Sequence, residues 1–173
     1  YPTFFGPPVV SAENLKRHLT ETDNLRKTPQ IAGFRLESPY LAKTGAATAK
    51  DITPICADIT NKLLEAGGGN IKIWDISPEL LGASELISEL ADKDIITSIA
   101  HTNASVEQAQ NAVYAGVRLV THLFDTFEVP EMTDPGVYPA GLTDYLLVDD
   151  HVICEIIGDG THVHPLLVEK TFR

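Results

Sequence analysis

Positive charge is scarce in this sequence. Thirteen lysines and arginines stand against 24 aspartates and glutamates, a formal net charge of −11. Nucleic acid and anionic membrane surfaces both select basic patches, so this balance argues against either as a partner. Apolar runs are short, and none approaches the length of a membrane span. The N-terminus lacks the charged-then-apolar form of a signal peptide. There are only two cysteines, Cys56 and Cys154. They lie far apart in no metal-like spacing, and we expect both to be reduced core residues. A cytoplasmic setting fits. A nucleotide-binding glycine fingerprint is also missing: Gly67-Gly68-Gly69 follows an apparent helix, whereas a phosphate loop precedes one.

What is present is an ordinary globular composition, 43% hydrophobic and 21% charged over 173 residues, enough for one domain with a sizeable core. The most informative stretch is 95–125, IITSIAHTNASVEQAQNAVYAGVRLVTHLFD. It reads as strand, helix, strand. An apolar run ends in His101. Ser105 with Gln108 forms a capping-box signature. Ala109, Ala112 and Val113 share one helical face, Gly116 stops the helix, and a second strand ends in His122. A right-handed βαβ unit lays such strands parallel, so both histidines fall at the carboxyl edge of one sheet, where α/β folds keep their sites.

The same rhythm runs through the chain. A short strand at the N-terminus precedes a helix begun by Ser11, with Leu15 and Leu19 inward and His18 at the surface. Residues 31–37 form a strand ending at Glu37. Thr48 caps the next helix, with Asp51 in its first turn and Ile52, Ile55, Cys56, Ile59 and Leu63 at helical spacing. NIKIWDI (70–76) is a strand, and Ser77-Pro78-Glu79 signals a helix start. The segment 124–141 is a long, Pro-rich loop of the kind that is functional or mobile. HVICEII (151–157) is a strand, and a last helix begins at Pro165.

About six β-α units without a hairpin signal define an α/β fold with a parallel sheet. Chemically competent residues recur at four strand ends, so a (β/α)₈ TIM-type barrel suits the pattern better than a doubly wound sheet. A full barrel takes roughly 250 residues. The chain therefore reads as a single partial barrel domain over 1–173.

Glu37, His101 and His122 each end a strand. Any one alone could simply wet a loop. Two imidazoles and a carboxylate at one sheet edge are a catalytic zinc-type set that leaves a coordination position open. Asp159, His162 and His164 lie in the turn after the last strand. Of these, His162 is placed to hydrogen-bond a substrate oxygen, while Asp159 braces the turn. Asp125 can touch a ligand or end its strand. Asn103 suits an Asx-type turn.

The segments LESPYL (36–41), KTGA (43–46), AHTNAS (100–105), THLFD (121–125), DPGV (134–137) and IGDGTHV (157–163) together resemble the N-acetylglucosamine-6-phosphate deacetylase family of the amidohydrolase superfamily. The resemblance implies a metal-dependent barrel that removes the acetyl group from an amino-sugar phosphate. It implies Glu37, His101 and His122 as ligands of zinc or another divalent metal ion. It also implies His162, Asp125, Thr126 and Ala46 at the substrate, a small N-acetyl amino sugar, and a homodimeric assembly. By the same resemblance the catalytic aspartate lies outside the chain, so no catalytic residue is assigned. Ser38 replaces the family's glycine, Ala47 its histidine and Thr133 its phosphate-binding arginine. A threonine cannot replace a bidentate phosphate partner. Two alternatives stay open: a non-catalytic homologue that binds metal or ligand, and a deacetylase of an unphosphorylated N-acyl compound.

Overall fold

The computed structural model describes residues 1–5, 12–21, 31–132 and 134–173. Among the described residues six strands alternate with six helices: β1 (Thr3–Phe4), α1 (Ala12–Glu21), β2 (Phe34–Leu36), α2 (Ala57–Gly67), β3 (Ile71–Ile76), α3 (Ala83–Ala91), β4 (Ile96–Ile99), α4 (Val106–Ala115), β5 (Leu119–Val120), α5 (Leu142–Val148), β6 (Ile153–Cys154) and α6 (Pro165–Thr171). All five strand pairings are parallel. The spatial order is β1-β2-β3-β4-β5-β6. A doubly wound sheet reverses direction at a switch point, whereas a barrel adds each strand beside its predecessor. The order is therefore that of a TIM-type barrel.

Two contacts show that the sheet curves. Arg35 on β2 reaches Glu155 just beyond β6 at 2.7 Å. Four strand spacings in a flat sheet would span about 19 Å, too far for two side chains to bridge. Glu37, after β2, likewise reaches His122, after β5, at 3.2 Å. The concave face must be turned inward on itself.

The period-two pattern of the strands divides the two faces. Phe34, Leu36, Trp74, Ile76, Ile99 and Val120 face the helices and are buried. They meet Leu63 of α2, Ile87 and Leu90 of α3, and Ala109 and Val113 of α4 in one cluster. Trp74 stacks on Tyr40 with centroids 5.7 Å apart. The concave face carries Arg35, Asp75 and Ser98, all buried.

The helix ends show where local signals held. Ser105 accepts from the Gln108 N–H and Gln108 Oε1 accepts from the Ser105 N–H, so the capping box forms. Gly116 ends α4 at φ 133°. Ser105→Ala is expected to cost about 1 kcal/mol and to lower the melting temperature by about 2–4 °C; a thermal melt checks it.

Other starts moved. Helix α2 begins at Ala57, not after Thr48. Pro54 disfavours helical backbone at Thr53, and Thr48 closes a local turn by donating its N–H and hydroxyl to Asp51. Cys56 is consequently the residue before the helix and is exposed, not a core residue. Cys154 is half-buried in β6, where burial pushes its thiol up to about 11. Helix α3 starts at Ala83, because Ser77 and Glu79 have partners elsewhere: Ser77 Oγ lies 2.8 Å from the Ala100 carbonyl, and Glu79 accepts from Thr102 and the Asn103 N–H. The turn at 102–104 is closed by Thr102, whose Oγ1 accepts from the Ala104 N–H. Helix α5 carries no strong periodic signal, being seven residues long, and Asp144 caps it by accepting from the Gly141 N–H. Leu15 of α1 is fully buried. Ser11, Thr133 and the side chains of His18 and Leu19 lie outside the described residues.

Candidate metal centre

The concave face is built in tiers. Arg35, Ile73 and Ile96 are paired in one row, and Asp75, Ser98, Leu119 and Ile153 in the next row toward the carboxyl ends. Side-chain hydrogen bonds tie Arg35, Asp75, Ser98 and Thr121 into a polar layer across these rows. Beyond the strand ends come Glu37, His101 and His122. These three offer ligand atoms that all lie within 4.8 Å of one another. Nε2 of His101 and Nε2 of His122 each stand 3.2 Å from the same Glu37 oxygen. The two rings meet edge to face with centroids 5.0 Å apart.

The backbone that delivers them is unusual. His101 has φ 47° and His122 φ 35°, and Phe124 and Thr126 are also positive. Such conformations cost about 1–3 kcal/mol each for non-glycine residues and cluster at functional sites. Each histidine leaves its strand by a left-handed turn. The Ser77 hydroxyl beneath the His101 turn also accepts from the Ala42 N–H, and Lys43 N–H donates to the His101 carbonyl. These bonds draw the 42–46 loop over the site.

Gly45 closes that lid. Its φ is 54°, and a Cβ there would stand 2.4 Å from His101 Cε1 and 3.2 Å from the Thr126 methyl. Gly45→Ala is therefore expected to displace the ring and to weaken the binding of a divalent ion at this cluster by about tenfold, read by titration with a competing chelator.

The electrostatics follow from the packing. Burial opposes ionisation of Glu37, yet hydrogen bonds from His101 and His122 hold its carboxyl down at about 2. Burial likewise opposes charge on His122, but Glu37 raises its pKa above the ordinary imidazole value. Nδ1 of both histidines is buried and, among the described residues, has no hydrogen-bond partner. Two nitrogens and a carboxylate oxygen converging at these spacings suit a divalent ion. A tetrahedron with bonds of about 2.0–2.1 Å has ligand edges of about 3.3 Å.

The remaining sequence-predicted residues sit around this centre without joining the ligand group. Asp125 and Thr126 are half-buried; Asp125 N–H donates to the His122 carbonyl, and Thr126 Oγ1 donates to the Asp125 carbonyl. Ala46 is exposed beside Gly45. His162 is exposed and pairs with Asp159 at 2.7 Å, within range of the charges of Asp125 and His122. His164 accepts from the Leu166 N–H at the start of α6.

The Asp159–His162 pair has a pH signature. Backbone amides of His162 and Thr161, with the His162 ring, hold the Asp159 carboxyl at about 2. In return Asp159 raises the His162 pKa above its ordinary value. The pair is intact below that raised value and is lost as pH rises through it. Asp159→Asn should lower the His162 midpoint, read from its ring-proton NMR titration.

The polar tier is not among the sites expected from the sequence. Arg35 Nε donates to both Asp75 oxygens at 3.1 Å, its Nη1 donates to Glu155, and its Nη2 donates to Thr121. Thr121 in turn shares a 2.7 Å hydrogen bond with Ser98. The available signal was alternation: FRLE places Arg35 and Glu37 on one face of β2, and Asp75 interrupts an apolar strand. A groove of about 490 Å³ lined by Phe127, Met132, Tyr138 and Leu167 lies along the 124–141 segment, apart from the triad.

Fold and site together define an α/β barrel-type chain with a Glu-His-His cluster able to hold a metal ion at the carboxyl edge of its sheet. Its relatives narrow that class. The chain is 32% identical over 145 residues to N-acetylglucosamine-6-phosphate deacetylase of Bacillus subtilis strain 168, covering 83% of this chain and 35% of the relative. It is 31% identical over 147 residues to the Homo sapiens enzyme of that name, covering 83% and 36%. Among solved structures, a mutant N-acetyl-D-glucosamine-6-phosphate deacetylase from Mycobacterium smegmatis in complex with N-acetyl-D-glucosamine-6-phosphate superposes with a TM-score of 0.84 at 26% identity, over 98% of this chain and 43% of that one. No protein-family model matches the chain. The chain belongs to the N-acetylglucosamine-6-phosphate deacetylase family, and spans about a third of the length of these curated relatives.

Proposed function

We propose that this chain carries the metal-holding part of a hydrolase that removes the N-acetyl group from an amino-sugar phosphate, with zinc as the ion. The observation that carries the reading is the convergence of Glu37, His101 and His122 at three strand ends. An ion held there supplies Lewis-acid chemistry, polarising a carbonyl and acidifying water. The chain's own residues do the rest of the binding. His101 and His122 present Nε2 as neutral donors while Glu37 brings the compensating negative charge. His162, steadied by Asp159, offers a ring N–H to a substrate oxygen. Thr126, Asp125 and Ala46, which lie near Gly45, are the residues offered to the sugar. The proton-transfer aspartate is expected from outside these 173 residues.

The reading extends to a single partial barrel domain over 1–173 and to a homodimer in the cytoplasm, with no nucleic-acid or membrane partner. The −11 charge and the unpaired cysteines support that setting, and among the described residues no helix is long and apolar enough to cross a membrane. The non-catalytic alternative is not favoured, because the relatives carry the name of an enzyme.

The test is acetate release by protein expressed from the complete gene, zinc-loaded, with N-acetylglucosamine 6-phosphate and with the unphosphorylated sugar. Release from the phosphorylated sugar, lost in His122→Ala, supports the reading. Release only from the unphosphorylated sugar moves the substrate class, and release from neither overturns the proposal.

A further inference from the structure

Arg35 lies one tier below the metal-ligand constellation and touches none of its three members in any hydrogen bond described above. Its partners nevertheless span the sheet. Asp75 belongs to β3, Thr121 immediately precedes His122, and Glu155 follows β6. Through Thr121 the network continues to Ser98 on β4, three residues before His101. Arg35 itself is two residues before Glu37 on the same face of β2. One planar fork therefore belongs to the strand that delivers Glu37, bonds to the residue before His122, and reaches the strand that delivers His101 through Thr121 and Ser98. Backbone ladders join only neighbouring strands, and β5 is only two residues long. The ladder alone fixes the distance from β2 to β5 poorly, because errors accumulate over three pairings.

We propose that Arg35 is a positioning residue: its guanidinium, bonded to Asp75, Thr121 and Glu155 across the concave face, sets the placement of Glu37, His101 and His122 relative to one another. The function is geometric. Five N–H donors in a fixed plane hold directions that a lysine ammonium cannot. Asp75 holds one edge of the fork with two bonds to Nε and a contact to Nη2 at 3.0 Å. The other edge is thereby aimed at Thr121 and Glu155. The inference rests on the metal-site reading for its consequence, and on the side-chain geometry alone for its cause.

Two variants test it without relying on turnover. Arg35→Met with Asp75→Leu removes the fork and its buried counter-ion together, so no charge is left unpaired in the core. Arg35→Lys keeps the charge beside Asp75 but cannot span three partners. Two readouts are compared: zinc affinity by competition with a chelator, and the NMR cross-peak between ring protons of His101 and His122, whose centroids are 5.0 Å apart. We expect a folded double variant to lose or weaken the cross-peak and to bind zinc about 10–100-fold more weakly, with Arg35→Lys intermediate. A folded variant of either kind with the wild-type cross-peak and wild-type affinity overturns the proposal. If wild-type protein binds no zinc, the metal reading fails instead, and the cross-peak in the metal-free variants still decides the role of Arg35.

Discussion

Protein loaded with zinc and cleared of excess ion by gel filtration should retain about one equivalent per chain, and the His101→Ala, His122→Ala pair should retain almost none. Glu37, His101 and His122 are separated by 64 and 21 positions in the chain, yet the two ring nitrogens each stand 3.2 Å from one Glu37 oxygen. Removing one partner of a second-layer hydrogen bond typically costs 10–100-fold in metal affinity. Losing two direct ligands should exceed that, leaving Glu37 as a lone carboxylate. Because imidazole must be neutral to bind, retention should also fall as pH drops through the raised pKa of His122. Metal analysis by atomic emission on the desalted protein reads both effects. Full retention in the double variant would locate the ion elsewhere.

The legible part of this site was its periodicity. Strand-helix alternation, the Ser105 capping box and the terminal position of each histidine follow from nearest-neighbour rules that act along the chain. Those rules were also enough to place Glu37, His101 and His122 at one edge, because parallel strands share a direction. The rules failed where a local signal was outbid by a distant partner. Ser77-Pro78-Glu79 has every residue a helix start needs, but Ser77 is held by Ala100 and Ala42, and Glu79 by Thr102 and Asn103. Thr48 has the right chemistry for a cap, but Pro54 delays helical backbone by more than two turns. Arg35 was missed for a different reason. An arginine in the 31–37 strand reads as an edge or surface residue until curvature brings β6 across to meet it, and curvature is a property of the whole sheet, not of any segment. The left-handed turns at His101 and His122 were also invisible, since histidine carries no preference strong enough to announce φ 47° or 35°.

Curvature also dictates how Arg35→Met should behave when made alone. Arg35 and Asp75 are both buried, the Asp75 side chain completely. Burial drives the Asp75 carboxyl up to about 7 even with Arg35 pulling the other way, and the charge on Glu37 adds to the rise. Removing the guanidinium leaves a buried carboxylate with its principal partner gone, a change that costs about 3–5 kcal/mol. For a chain of this length that is a fall of roughly 6–20 °C in melting temperature. The cost depends on pH with a definite sign. A carboxyl whose folded-state pKa lies above its unfolded value stabilises the fold fully only below the unfolded value, and the contribution is lost as pH rises through the folded value. In wild type that window runs from about 4 to about 7. Without Arg35 the folded value moves higher still, so the window extends upward. Urea unfolding should therefore show a modest difference between Arg35→Met and wild type at pH 5, where protonated Asp75 needs no counter-ion, and a large one at pH 8. Adding Asp75→Leu should recover most of the loss at pH 8 and flatten the dependence. An equal penalty at both pH values, or one that the second substitution fails to relieve, would show that the strength of the Arg35 network lies in packing and in Thr121 and Glu155, not in its charge pairing with Asp75.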